Sequence, residues 1–163
     1  RKHVKFGIAA GLPLGVGGEL EIVAPIPVGP AISVFGQGSY VPGAGAVLFG
    51  LRGFEAPTES AALQVINAGA RLYPNTQARG IYGSASFVTL NTNVAAPGDA
   101  DLSRIGWTAN IGLRTDSKLT YNSLEIGIGQ YGDFVLADFD EDQKGSYPLL
   151  LPSLGFSFGF AVL

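Results

Sequence analysis

The sequence predicts an all-β fold: a transmembrane-type, eight-stranded antiparallel up-and-down β-barrel. Three observations carry that prediction. Segments of strand length alternate between large apolar and small or polar residues. The clearest is at the C-terminus, where Phe156, Phe158, Phe160 and Val162 alternate with Gly155, Ser157, Gly159 and Ala161. A period of two sends successive side chains to opposite faces of a sheet. The bulk therefore shares one face and the other is nearly bare, which suits a narrow barrel with its large residues outside. Glycine makes up 24 of 163 residues, charged residues are only 14%, and mean hydropathy is positive. Yet no apolar run reaches the roughly 18 residues of a membrane-spanning helix. Finally, turn clusters divide the chain into pieces of strand length.

The N-terminal segment keeps one phase from Val4 to Ala24, with Val4, Phe6, Ile8, Leu12, Leu20 and Ile22 on even positions. It reads either as a hairpin, 3–11 and 18–26, or as one long first strand kinked at its Gly/Pro stretch. The even strand number of bacterial single-chain barrels favours the long strand and a total of eight. Further strands are expected at 31–41, 46–54, 62–73, 80–90, 103–114, 119–131 and 151–162. A bulge is expected near 119–123, where the phase seems to shift. Short turns fall at Pro27–Pro30, Pro42–Gly45, Pro74–Gln77 and Thr115–Lys118. Longer connections fall at 55–60, 91–102 and 132–149. The whole chain, 1–163, forms one β-barrel domain, with 1–17 as an N-terminal extension or part of an extended first strand. The absence of Met, even at position 1, fits a chain that starts after processing.

The segment Gly69-Ala70-Arg71-Leu72-Tyr73-Pro74-Asn75, followed by Ala78-Arg79-Gly80-Ile81-Tyr82-Gly83, resembles a hairpin common in small bacterial outer-membrane β-barrel proteins. The overall pattern of 18–163 resembles the eight-stranded class that includes the outer-membrane protein A barrel domain. That resemblance implies a bacterial outer-membrane location and outer-membrane lipids as partners. Members of the class typically end in Phe or Trp, whereas this chain ends in Leu163 after the alternating phenylalanines.

Within the strands, the charged residues share the small-residue face: Lys5, Glu19, Glu21, Arg52, Arg71, Arg104, Arg114 and Glu125. The bulky face, carrying Phe49, Phe87, Trp107, Phe156, Phe158 and Phe160, is expected to meet lipid. Charges inside a narrow barrel must pair, because an unpaired buried charge costs several kcal/mol. The arginines are therefore expected to meet Glu19, Glu21 or Glu125 as a salt-bridge network, with a proton or ion path as the alternative. Tyr40, Phe54, Phe87, Trp107 and Tyr131 are candidates for the membrane interfaces.

Catalysis finds little support. A general base near neutral pH is usually His, and the chain has one, His3, at its N-terminus. No catalytic residue, no cofactor and no metal site is expected. Asp138, Asp140 and Asp142 have the opening spacing of a calcium loop, but Gln143 stands where Gly is required, leaving only a weak divalent-cation candidate. The surrounding segment combines those acids and Glu141 with Phe134, Leu136, Phe139 and Tyr147, and is expected to form a partner surface or a lid. The net charge of −3 without a basic stripe argues against nucleic acid.

The expected function is a non-enzymatic outer-membrane barrel, structural and porin-like in architecture, or an accessory subunit of a larger cell-envelope protein complex. The alternatives are a lipocalin-like carrier of a small apolar ligand and a lipid-modifying barrel enzyme.

Overall fold

The computed structural model describes residues 3–12, 15–24, 28–41, 62–93, 102–135 and 146–162, except the side chains of 41, 62–63, 92–93, 102–104, 132–135 and 146–149. Eight strands follow in chain order: β1 (Val4–Leu12), β2 (Gly15–Val23), β3 (Ala31–Val41), β4 (Ala62–Tyr73), β5 (Gly80–Asn93), β6 (Leu102–Asp116), β7 (Thr120–Val135) and β8 (Ser146–Val162). Each pairs antiparallel with the next, and β1 pairs with β8, so the sheet closes into an up-and-down barrel without edges.

The strand count agrees with the sequence-based expectation, but the division of the chain differs. The N-terminus is a hairpin rather than one long strand or an extension, and both of its strands belong to the barrel. In that hairpin Ala10 faces Val16 and Ile8 faces Gly18. Directly opposed partners sum to an even number, so even positions stay on one face across the turn. Unbroken phase therefore could not distinguish a hairpin from a single strand.

The expected strand 46–54, with Arg52, Phe49 and Phe54, lies outside the described residues. The ladder closes without it, because β3 pairs directly with β4 from Ala31↔Tyr73 to Val41↔Leu63. The expected bulge at 119–123 is absent. The β7–β8 register runs unbroken from Thr120 to Gln130, with the irregularity between Gln130 and Asp133. Leu119 belongs to the turn, closed by the Ser117 amide donating to Thr120 O at 2.8 Å, and Tyr121 points inward. β7 and β8 also extend into the expected loop 132–149, pairing Phe134 with Tyr147.

The topology gives the barrel two unlike ends. One holds both strand termini and the connections 24–30, 74–79 and 117–119. The other holds 13–14, 42–61, 94–101 and 136–145. At the terminus end, the turn after β4 is built as the sequence requires. Asn75 Oδ1 accepts from the Gln77 amide at 3.0 Å, the Asx-turn geometry, and Gly80 takes a left-handed φ of 81°.

The two faces of the wall are chemically opposite. Outward-pointing Ile105 and Phe87 are each 74% exposed and Ile111 is 66% exposed, whereas inward-pointing Arg114 is 1% and Glu21 0% exposed. Phe6, Phe158 and Phe160 form an aromatic cluster on the outside, with ring centroids 6.0 and 6.4 Å apart. Inside, charged and hydroxyl side chains fill the middle of the barrel. Val23, Ala31, Tyr73, Ala78 and Tyr82 cluster toward the terminus end, and Val65, Val88, Leu90 and Tyr131 cluster toward the other end.

Candidate functional site

The lumen is the one place among the described residues where charge concentrates. Inward positions of seven strands converge there. β2 supplies Glu19 and Glu21, β4 supplies Arg71 and Tyr73, and β7 supplies Tyr121 and Glu125. Lys5 comes from β1, Ser33 from β3, Tyr82 from β5 and Arg114 from β6. The period of two that leaves the outer face apolar delivers these groups to one interior layer.

Arg71 is the centre of the cluster. Its Nη2 lies 2.8 Å from Glu19 Oε2 and 2.8 Å from Glu125 Oε1, and its Nη1 lies 2.8 Å from Glu21 Oε2. Its guanidinium also stacks 4.0 Å from the Phe35 ring centroid. Arg114 bonds Glu21 and the Tyr73 hydroxyl through Nη1, and its Nη2 stands 3.6 Å from Glu19. Tyrosines fill the remaining acceptor positions. Tyr73 donates to Glu21 at 3.0 Å, Tyr82 to Glu125 at 2.6 Å and Tyr121 to Glu19 at 3.3 Å. Ser33 donates to Glu21 at 2.6 Å. Lys5 stands slightly apart, 3.3 Å from Asp116 and 3.1 Å from the Ala78 carbonyl. In so dry a place each contact is strong only because its partners are held in register by different strands.

Beyond this cluster, toward the long-connection end, lies a chamber of hydroxyls and amides. Ser86 and Thr108 share a hydrogen bond of 2.6 Å, Asn110 Nδ2 donates to Thr108 at 3.3 Å, and Ser123 bonds Ser157. A cavity of about 20 Å³ remains among Glu19, Gln37, Asn67, Asn110 and Glu125. That is room for about one or two water-sized occupants. A passage for solutes would need a continuous opening, and the ionic cluster crosses the barrel beside the cavity.

Of the residues picked out from sequence, Lys5, Glu19, Glu21, Arg71, Arg114 and Glu125 all point inward and meet in this one network. The Arg104 side chain and Arg52 lie outside the described residues. Phe87, Trp107, Phe156, Phe158 and Phe160 point outward, as does Tyr40. Tyr131, expected at a membrane interface, is instead buried in the lumen at 4% exposure. Its odd position on β7 shares the inward phase of Tyr121 and Ser123. Leu136, Asp138, Phe139, Asp140, Glu141 and Asp142 lie outside the described residues, as do the side chains of Phe134 and Tyr147. His3 sits at the terminus rim with Nδ1 3.3 Å from the Val23 carbonyl.

The sequence reading missed Asp116 and the tyrosines Tyr73, Tyr82 and Tyr121. Their signal was present, since each occupies the same parity as a charged residue on its own strand. No group of three or more His, Cys, Asp or Glu among the described residues could hold a metal ion. Comparison with known proteins yields no match to a family model, a curated protein or a solved structure.

Proposed function

We propose that this chain spans a lipid bilayer, as a bacterial outer-membrane barrel, and acts there as a closed structural post or accessory subunit of a cell-envelope assembly rather than as an enzyme or a pore. The inversion of the wall carries this reading. A continuous belt of exposed Ile, Leu, Val and Phe surrounds a lumen in which Glu21 and Arg114 are fully buried. Water disfavours that outer surface at about 25 cal/mol per Å², and a monomer in water rarely exposes so large an apolar area. Hydrocarbon removes the cost, and barrel closure satisfies the backbone groups that lipid cannot.

The unlike ends support the same reading. Termini and short turns gather at one end and three of the longer connections at the other, the usual asymmetry of such barrels. The turn 13–14 is the exception at the long-connection end. A carrier of apolar ligands needs an apolar lumen, and this lumen is ionic. A role in passive transport is opposed by the Arg71 cluster lying across the interior.

Trp107 is the sole tryptophan and points outward, which gives a direct test. In vesicles with brominated acyl chains, its fluorescence should be strongly quenched, and the protein should need detergent outside them. A monomer that stays soluble without detergent, with Trp107 unquenched, would overturn the membrane reading. Vesicles carrying the folded barrel should leak small sugars no faster than empty vesicles. Rapid leakage would overturn the closed-post reading.

A further inference from the structure

The geometry points to a binding site for one small monovalent cation, sodium or potassium, in the chamber between Glu19, Glu125, Asn67 and Asn110. Three independent observations place it there. The first is charge. Arg71 carries one positive charge against the two carboxylates of Glu19 and Glu125, so the groups lining the chamber sum to −1 when all are ionised. The neighbouring pairs, Lys5 with Asp116 and Arg114 with Glu21, are each neutral and compensate nothing further.

The second observation is unmet hydrogen bonding. Asn67 is only 4% exposed, lines the cavity, and its Oδ1 has no partner. Asn110 lines the same cavity and its Oδ1 is also unpartnered, while its Nδ2 donates to Ser84 and Thr108. Both unmet atoms are acceptors. The unmet donors of the lumen, Nε and Nη2 of Arg114, lie in the ionic cluster, and Arg114 does not line the chamber. Buried polar atoms are nearly always paired, so two acceptors facing one cavity call for a cation or a donor.

The third observation is the oxygen set. The hydrogen bonds and ion pairs of Glu125 fall on Oε1. A Cβ placed on Gly155, another lining residue, would lie 4.0 Å from the second oxygen, Oε2. Gln37, Ser123, Ser153 and Ser157 add neutral oxygens around the same space. Dipolar oxygens with little net charge suit an alkali cation. A dication favours several carboxylates, and here both carboxylates are already bound to Arg71. The volume of about 20 Å³ admits one such ion with at most a water. The site lies within the barrel and does not depend on where the barrel resides.

The test measures thermal unfolding of the full chain in detergent at equal ionic strength in sodium, potassium or N-methylglucamine chloride. A ligand that binds only the folded state raises the midpoint by mass action. The expected result is a midpoint about 3–8 °C higher in the alkali salts, saturating with concentration and lost in a folded Asn67→Leu variant. Equal midpoints in all three salts would overturn the site and leave water as the occupant. So would a shift of the same size in Asn67→Leu, which would place the ion elsewhere. If Asn67→Leu does not fold, sodium NMR of the wild-type barrel decides. Line broadening that potassium reverses supports the site, and its absence overturns it.

Discussion

The outer wall and the lumen are built by the same strands, from alternate residues, yet they behave as two different materials. On β6, Ile105, Trp107, Ala109, Ile111 and Leu113 face out, while Thr108, Asn110 and Arg114 face in. The wall is apolar, open and made of side chains that touch few partners. The lumen is charged and almost fully hydrogen-bonded. A water-soluble protein has the reverse arrangement. The difference teaches where stability resides: specific, strand-to-strand bonds hold the barrel from within, and the surroundings of the wall decide whether it can persist.

The sharpest way to break the comparison is to remove the anion that two arginines share. Glu21 accepts from Arg71, Arg114, Tyr73 and Ser33. Glu21→Ala leaves both guanidinium groups under-compensated in a dry interior. A loss of about 3–5 kcal/mol is expected, read as a fall in unfolding free energy in detergent micelles. A loss below about 1 kcal/mol would mean that the lumen is far wetter than its packing implies.

The wall should respond to its medium instead. Ile111 lies in the outward run of β6 and is 66% exposed. Ile111→Arg should cost about 2–4 kcal/mol for a barrel folded in a bilayer. In water the same exposed substitution would fall within about 0.5 kcal/mol. Refolding titrations into vesicles separate the two, and a neutral result there would mean that this wall does not meet lipid.

An intermediate effect is expected where space rather than charge is decisive. Gly112 directly opposes Tyr82 across β5–β6, and a Cβ at Gly112 would collide with the Tyr82 ring. Gly112→Ala must push the ring aside and loosen its bond to Glu125. About 1–3 kcal/mol of destabilisation is expected, with altered near-ultraviolet dichroism from the displaced tyrosine. An unchanged spectrum would mean that the ring is free to relocate.

Much of this was legible in the sequence, because period-two parity fixes the face of each residue. Lys5, Glu19, Glu21, Arg71, Arg114 and Glu125 could be grouped inside, and Phe156, Phe158 and Phe160 outside, from parity alone. What parity does not carry is where a strand begins or which residue it meets across the lumen. The N-terminal hairpin kept its phase through the turn, so it passed for one strand. Asp116 looked like part of a turn cluster, yet β6 extends through it and turns it toward Lys5. Tyr73, Tyr82 and Tyr121 were hidden because aromatic rings read as wall residues, although each hydroxyl completes a carboxylate's bonding. Contacts across the lumen depend on strand tilt and stagger, which no single segment records.

The smallest effect tests where the wall ends. Trp107 and Gln130 are directly opposed on β6 and β7, and the indole Nε1–H donates to Gln130 Oε1 at 2.9 Å. Both point outward, toward the long-connection end of an otherwise apolar run. An amphipathic ring with its polar tip satisfied there is the arrangement expected where hydrocarbon gives way to water. Gln130→Leu removes the acceptor. If the tip lies at the boundary, water replaces it and the loss is about 0.5–1 kcal/mol. The Trp107 emission should then stay near its wild-type wavelength. If the indole instead lies deep in hydrocarbon, its N–H is left unpaired, the loss rises to about 1–3 kcal/mol, and emission shifts to the blue. The paired stability and emission measurements thus fix the depth of one strand position and, through the register of β6 and β7, the level of the wall on either side of it.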